Sequence, residues 1–149
     1  MGRKYSIKGS GTTGTDKTLV TLVSATTIRP KIFDLVVGYS ATPADNAATF
    51  VAQRFTAAGT AAGAITPRPL DPGEPASLAS SGTGDFSVEP TYTASVILLE
   101  WARNQSAPFR WVAAPGGELV CPATAANGIG IKTTAGPAVV GNACIHFEE

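Results

Sequence analysis

The segment Lys31-Ile32-Phe33-Asp34-Leu35-Val36-Val37-Gly38-Tyr39-Ser40 decides the fold class. Phe33, Leu35, Val37 and Tyr39 fall at every second position, while Lys31, Asp34 and Ser40 interrupt any stripe of helical period. The spacing predicts a half-buried strand with those four side chains on one face. Working outward, Leu19–Val23, Tyr92–Trp101, Phe109–Ala113, Glu118–Cys121, Gly128–Thr134 and Ala143–Phe147 are similar short runs, rich in β-branched and aromatic residues and bounded by Gly, Pro or Asn. One stretch admits two readings. Phe50, Val51, Phe55 and Ala58 fit a helix capped by Asp45 and stopped at Gly59, whereas Thr49, Val51, Gln53 and Phe55 fit one face of a strand. The strand is preferred, because Thr-rich flanks and neighbouring strands leave an isolated helix locally inconsistent. Short strands separated by regular turn signals predict an all-β chain, an antiparallel β-sandwich of jelly-roll type.

The chain of 149 residues has room for one core and needs no metal or disulfide to fold. Eleven basic and eleven acidic residues balance, and charged residues make up only 15% of the chain. That excludes a nucleic-acid binder relying on bulk positive charge, and a solvated disordered tail. The charge is uneven: residues 1–33 hold Arg3, Lys4, Lys8, Lys17, Arg29 and Lys31 against the single acid Asp16. With Gly9-Ser10-Gly11-Thr12-Thr13-Gly14 reading as a spacer, residues 1–17 are expected to form a flexible N-terminal arm ahead of a domain spanning 18–149. That arm is either a docking element or a frayed, solvated terminus. No apolar run has the length or flanks of a secretory leader or a membrane span, so no membrane partner is expected.

Candidate chemistry is sparse. The only histidine, His146, shows no partner within its neighbourhood of sequence and reads as an outward-facing strand residue. Cys121 and Cys144 have no metal-ligand spacing and read as small apolar residues, expected to stay reduced. Asp71 and Glu74 lack the alternating acids of a calcium loop and read as part of a Pro/Gly turn. Gly116-Gly117 and Gly128-x-Gly130 match no phosphate-binding pattern and read as a hairpin turn and a glycine-thinned strand. Trp101 and Trp111 with Phe109 and Arg110 could form a stacking platform, although their alternation reads better as core. The expectation is therefore no enzyme and no cofactor. The segment Pro67–Gly84 is long for a loop and is expected to be ordered against something or functional.

Several separated runs then occur in order: Arg54-Phe55-Thr56-Ala57-Ala58-Gly59-Thr60, Leu70-Asp71-Pro72, Glu89-Pro90-Thr91-Tyr92-Thr93-Ala94, Asn104-Gln105, Phe109 through Leu119, and Pro122 through Gly130. Across residues 30–149 the chain resembles a family of small virion proteins of tailed phages, akin to capsid decoration, or cement, proteins with a jelly-roll body. The resemblance implies a structural protein made in the bacterial cytoplasm and carried on the capsid surface. Its implied partners are the major capsid protein and further copies of itself, a homotrimer ahead of a homodimer. No catalytic residues come with it. The basic arm supplies the candidate capsid contacts Arg3, Lys4, Tyr5 and Lys8, and the Pro-rich loop and the acids Glu148-Glu149 are further places to look. A tail-associated or carbohydrate-binding jelly roll is the alternative, and exposure of Trp101 and Trp111 would distinguish it.

Overall fold

The computed structural model describes residues 2–149, and no helix occurs among them. The strands pair antiparallel in two sheets packed face to face. One, here the terminal sheet, is centred on β12 (Val140–Glu148), which lies between β1 (Lys4–Thr12) and β3 (Lys31–Tyr39). The short β6 (Arg68–Pro69) joins the far side of β1, while β9 (Phe109–Val112) and β10 (Leu119–Val120) follow each other along the free edge of β3. The facing sheet runs β5 (Gly63–Ala64), β7 (Ser80–Thr83), β2 (Lys17–Val23), β11 (Gly128–Ala135), β4 (Ala47–Ala57) and β8 (Thr91–Asn104). The stretch open to two readings is thus strand β4.

Alternation of apolar residues puts one face of each sheet into the core. Tyr5, Ile7, Leu35, Val37, Ile145 and Phe147 from the terminal sheet join Leu19, Leu22, Phe50, Ala52, Ile129 and Ile131 from the facing sheet, all buried. Trp101 stacks between Phe50 and Phe109, at ring-centroid distances of 5.7 and 4.5 Å, and Trp111 packs half-buried against the same core. The tryptophans therefore serve the interior rather than a stacking platform.

The N-terminal residues overturn one expectation. Residues 4–12 are not a flexible arm but strand β1, paired along its length with β12, from Lys4 opposite Glu148 to Thr12 opposite Val140. The domain accordingly begins near residue 4, not at residue 18. The glycines that read as a spacer answer a different need: a Cβ on Gly9 would lie 2.6 Å from both the Leu19 carbonyl oxygen and the Val20 Cβ. Glycine there permits close approach of β1 to β2 across the sandwich, and composition alone does not separate that use from flexibility.

Strand β3 carries a second departure. Its pairing with β12 matches His146 to Asp34 and Phe147 to Ile32, leaving Phe33 as an extra residue. This bulge shifts the alternation by one position. Ile32, Leu35 and Val37 turn into the core, whereas Phe33 is left half-buried outside it, and Asp34 stands on the outer face.

Candidate functional site

The outer face of the terminal sheet gathers the polar chemistry that the core excludes. On β12, Cys144 and His146 alternate outward between buried Ala143, Ile145 and Phe147. On the neighbouring strands, Lys8 lies opposite Cys144, Ser6 opposite His146 on one side, and Asp34 opposite His146 on the other. The Asp34 carboxylate is the hub. It accepts hydrogen bonds from Arg110 Nε at 3.0 Å and Nη2 at 2.9 Å, a two-point clamp from β9, and its Oδ2 lies 3.1 Å from His146 Nδ1. His146 Nε2 in turn lies 3.8 Å from Cys144 Sγ, which is also 3.7 Å from Ser6 Oγ. Phe33 stacks over the imidazole at 6.2 Å.

The Asp34 side chain is only 7% exposed, so its charge survives because its partners supply what water would. Hydrogen bonding from Arg110 holds its carboxyl below the usual carboxylate range, against the opposing effect of burial and with further help from His146. Beside this cluster, Lys8, Ser10, Val36, Gly38, Asn142 and Cys144 form the floor of a groove of about 740 Å³, walled by Ala62, Gly63, Ile65 and the Thr83-Gly84 turn. A smaller hollow of about 300 Å³ lies toward the other end, among Lys4, Lys31, Phe33, Glu118 and Glu148.

The sequence-derived contact residues separate. Tyr5 is fully buried, stacked on Phe147 at 5.5 Å with its hydroxyl donating to the Pro75 carbonyl, so it cannot be a surface contact. Arg3 pairs with Glu74 at 3.2 Å, and Lys4 stands 5.5 Å above the Phe33 ring. Lys8 lines the groove. Lys4, Tyr5 and Lys8 are held on strand β1, and Arg3 just before it is tied by its backbone to Glu149.

The Pro-rich segment is ordered, as its length led one to expect. Asp71 Oδ1 accepts from the Gly73 amide, closing a side-chain-to-backbone turn, and Glu74 is occupied by Arg3. The Glu149 carboxylate accepts from the Ser77 hydroxyl at 2.8 Å and from the Leu78 amide at 3.1 Å. Arg3 and Glu149 also exchange backbone hydrogen bonds, and the Leu70 amide donates to the Lys4 carbonyl. N-terminus, C-terminus and Pro-rich loop therefore meet at one end of the sandwich, where Leu70 and Leu78 are 49% and 62% exposed.

Sequence reasoning missed the Asp34–His146–Cys144 cluster. Asp34 and His146 are separated by 112 positions, and only the β3–β12 register together with the bulge at Phe33 joins them. The alternation of Cys144 and His146 across a terminal strand was the one usable signal. No protein-family model, curated protein or solved structure matches the chain.

Proposed function

We propose that the chain is a structural protein of a tailed-phage virion, a capsid decoration protein that binds the assembled shell and other copies of itself. The fold suits that reading. Among the longer strands the orders β9-β3-β12-β1 and β2-β11-β4-β8, with most successive strands changing sheets, support a jelly-roll reading. The observation that carries the proposal is the meeting of both chain ends with the Pro-rich loop. A loop held at Leu70 by the Lys4 carbonyl, at Glu74 by Arg3 and at Ser77 and Leu78 by Glu149 presents Leu70 and Leu78 to solvent at little ordering cost on docking. Exposed leucines on a rigid support, beside the cations Lys4 and Arg68, make a surface suited to a protein partner with apolar and acidic groups.

Binding of purified chain to undecorated capsids, followed by co-sedimentation, tests this reading. Each leucine has roughly half its surface left to bury, worth about 1 kcal/mol, so Leu70→Ser with Leu78→Ser is expected to weaken binding about thirtyfold. The chain alone should behave as a trimer in light scattering, which multiplies weak contacts on the shell. Failure of the unaltered chain to bind shells, or equal binding by the double variant, would refute the assignment or its contact surface respectively.

A further inference from the structure

The two cysteines occupy opposite environments. Cys121 is fully buried, and burial pushes its thiol up to about 12, which makes it inert. Cys144 opens onto the groove of about 740 Å³, on the polar face of the sheet. Its Sγ, the His146 ring and the Asp34 carboxylate stand in line, at 3.8 Å from sulfur to Nε2 and 3.1 Å from Nδ1 to Oδ2. With Asp34 accepting from Nδ1–H, the lone pair of Nε2 is the atom that faces the thiol. Arg110 clamps both Asp34 oxygens, sharing Oδ2 with the ring, and Lys8 brings a cation to the strand position opposite Cys144. Nucleophile, base and orienting acid are thus assembled, and the space beside the nucleophile is largely apolar, lined by Val36, Gly38, Ala62 and Ile65.

We propose that Cys144 is an acyl-acceptor thiol, deprotonated by His146 and positioned through Asp34, and that it takes an aliphatic acyl group from an acyl thioester. Cys144 Sγ attacks the thioester carbonyl carbon as its proton passes to His146 Nε2. The bond from that carbon to the leaving sulfur then breaks, and the leaving thiolate takes the proton from His146. The products are S-acyl-Cys144 and a free thiol, with no net oxidation, and the acyl chain lies along the groove. The reaction stops there. β12 is laddered on both sides, so its backbone amides are already engaged and stabilise neither tetrahedral intermediate. The thiolate attacks an activated thioester readily without that help, whereas hydrolysis has only water as nucleophile and is slow. Cys144 is by this account a modification site, not the centre of a turnover enzyme, and the inference stands independently of the virion assignment.

The test uses the full chain and the octanoyl and acetyl thioesters of N-acetylcysteamine, with adducts counted by intact mass and located by peptide mass spectrometry. One octanoyl group per chain is expected, on Cys144, released by hydroxylamine. Replacing the base with His146→Gln should slow acylation about a hundredfold. Asp34→Asn should slow it about tenfold, and Asp34→Glu should restore part of the rate, which a purely structural carboxylate would not do. Val36→Trp, which fills the groove beside Cys144, should slow the octanoyl reaction more than the acetyl reaction, and an equal slowing of both would show that the acyl chain does not lie in the groove. The unaltered chain supplies its own reference if a variant fails to fold. Acylation of Cys144 no faster in the folded chain than in the same chain unfolded in urea would overturn the proposal, as would an unchanged rate in folded His146→Gln.

Discussion

The outer faces of the two sheets are finished in opposite ways. On the facing sheet, Phe55 and Tyr92 lie over β11, their rings meeting edge to face at 6.1 Å. Gly128 and Gly130 leave room for them: a Cβ at Gly130 would come 2.3 Å from the Tyr92 hydroxyl, and one at Gly128 would come 2.7 Å from Phe55 Cζ. The Tyr92 hydroxyl is satisfied by Thr18 Oγ1 at 2.8 Å, Lys132 Nζ stands 4.7 Å over its ring, and burial raises its pKa well above the ordinary value. On the terminal sheet a single ring, Phe33 stacked on His146, covers only one end of the outer face. Small side chains beyond it leave a groove, and the buried carboxylate of Asp34 is held by hydrogen-bond donors from Arg110 and His146 instead of by packing. A face closed by aromatic rings adds stability, whereas a face left open over a satisfied charge cluster keeps side chains available for chemistry.

Glycine substitutions break this contrast most directly. Gly128→Ala would set a Cβ 1.9 Å from the Leu22 carbonyl oxygen, a clash with backbone that no side-chain rotation relieves. The expected cost is about 3 kcal/mol, at the upper end of overpacking effects, read as a fall of roughly 6–12 °C in Tm by thermal denaturation.

Asp34→Asn probes the open face and should cost about 1–2 kcal/mol at pH 7, through weaker charge-assisted hydrogen bonds. Because the folded-state pKa of Asp34 is depressed, its stabilisation is present above the unfolded value near 3.9 and is lost as pH falls through the lower folded value. The gap between the unaltered chain and the variant should therefore narrow as pH falls below the unfolded value and close once pH passes below the lower folded value, and a gap that stays constant with pH would show that the ionised pair is not its source.

The smallest effect belongs to Gly38, on the groove floor, where an added Cβ meets nothing within 4 Å. Gly38→Ala is expected to stabilise by about 0.4–1 kcal/mol by restricting the unfolded chain. Destabilisation in urea titrations would mean that the groove is not free at that point.

Much of the β architecture was legible because period-two alternation survives any choice of partners. Leu35 and Val37, Phe109 and Trp111, and Ile145 and Phe147 all announce inward faces by spacing alone. β1 was not legible, since Gly9, Ser10 and Gly11 have the composition of a linker and the tight approach to Leu19 that explains Gly9 is a contact between distant residues. Phe33 was misread for a related reason: a bulge is defined by two strands together, and one strand's pattern carries no mark of it.

From the sequence alone came the all-β class, most strand positions and the balance of charge. Cys121 and Cys144 take the same apolar reading in sequence, and only the fold separates them, burying one and leaving the other on the outer face. Tertiary structure alone decided that the N-terminus is a paired strand, that Arg3, Glu74 and Glu149 lock the Pro-rich loop, and that Asp34, His146 and Cys144 share one face. Alternation and composition are local properties set by neighbours along the chain. Register, bulges and charge partnerships are set by which strands lie side by side, and for β12 that meant pairing the last residues of the chain with β1 and β3 from its first third.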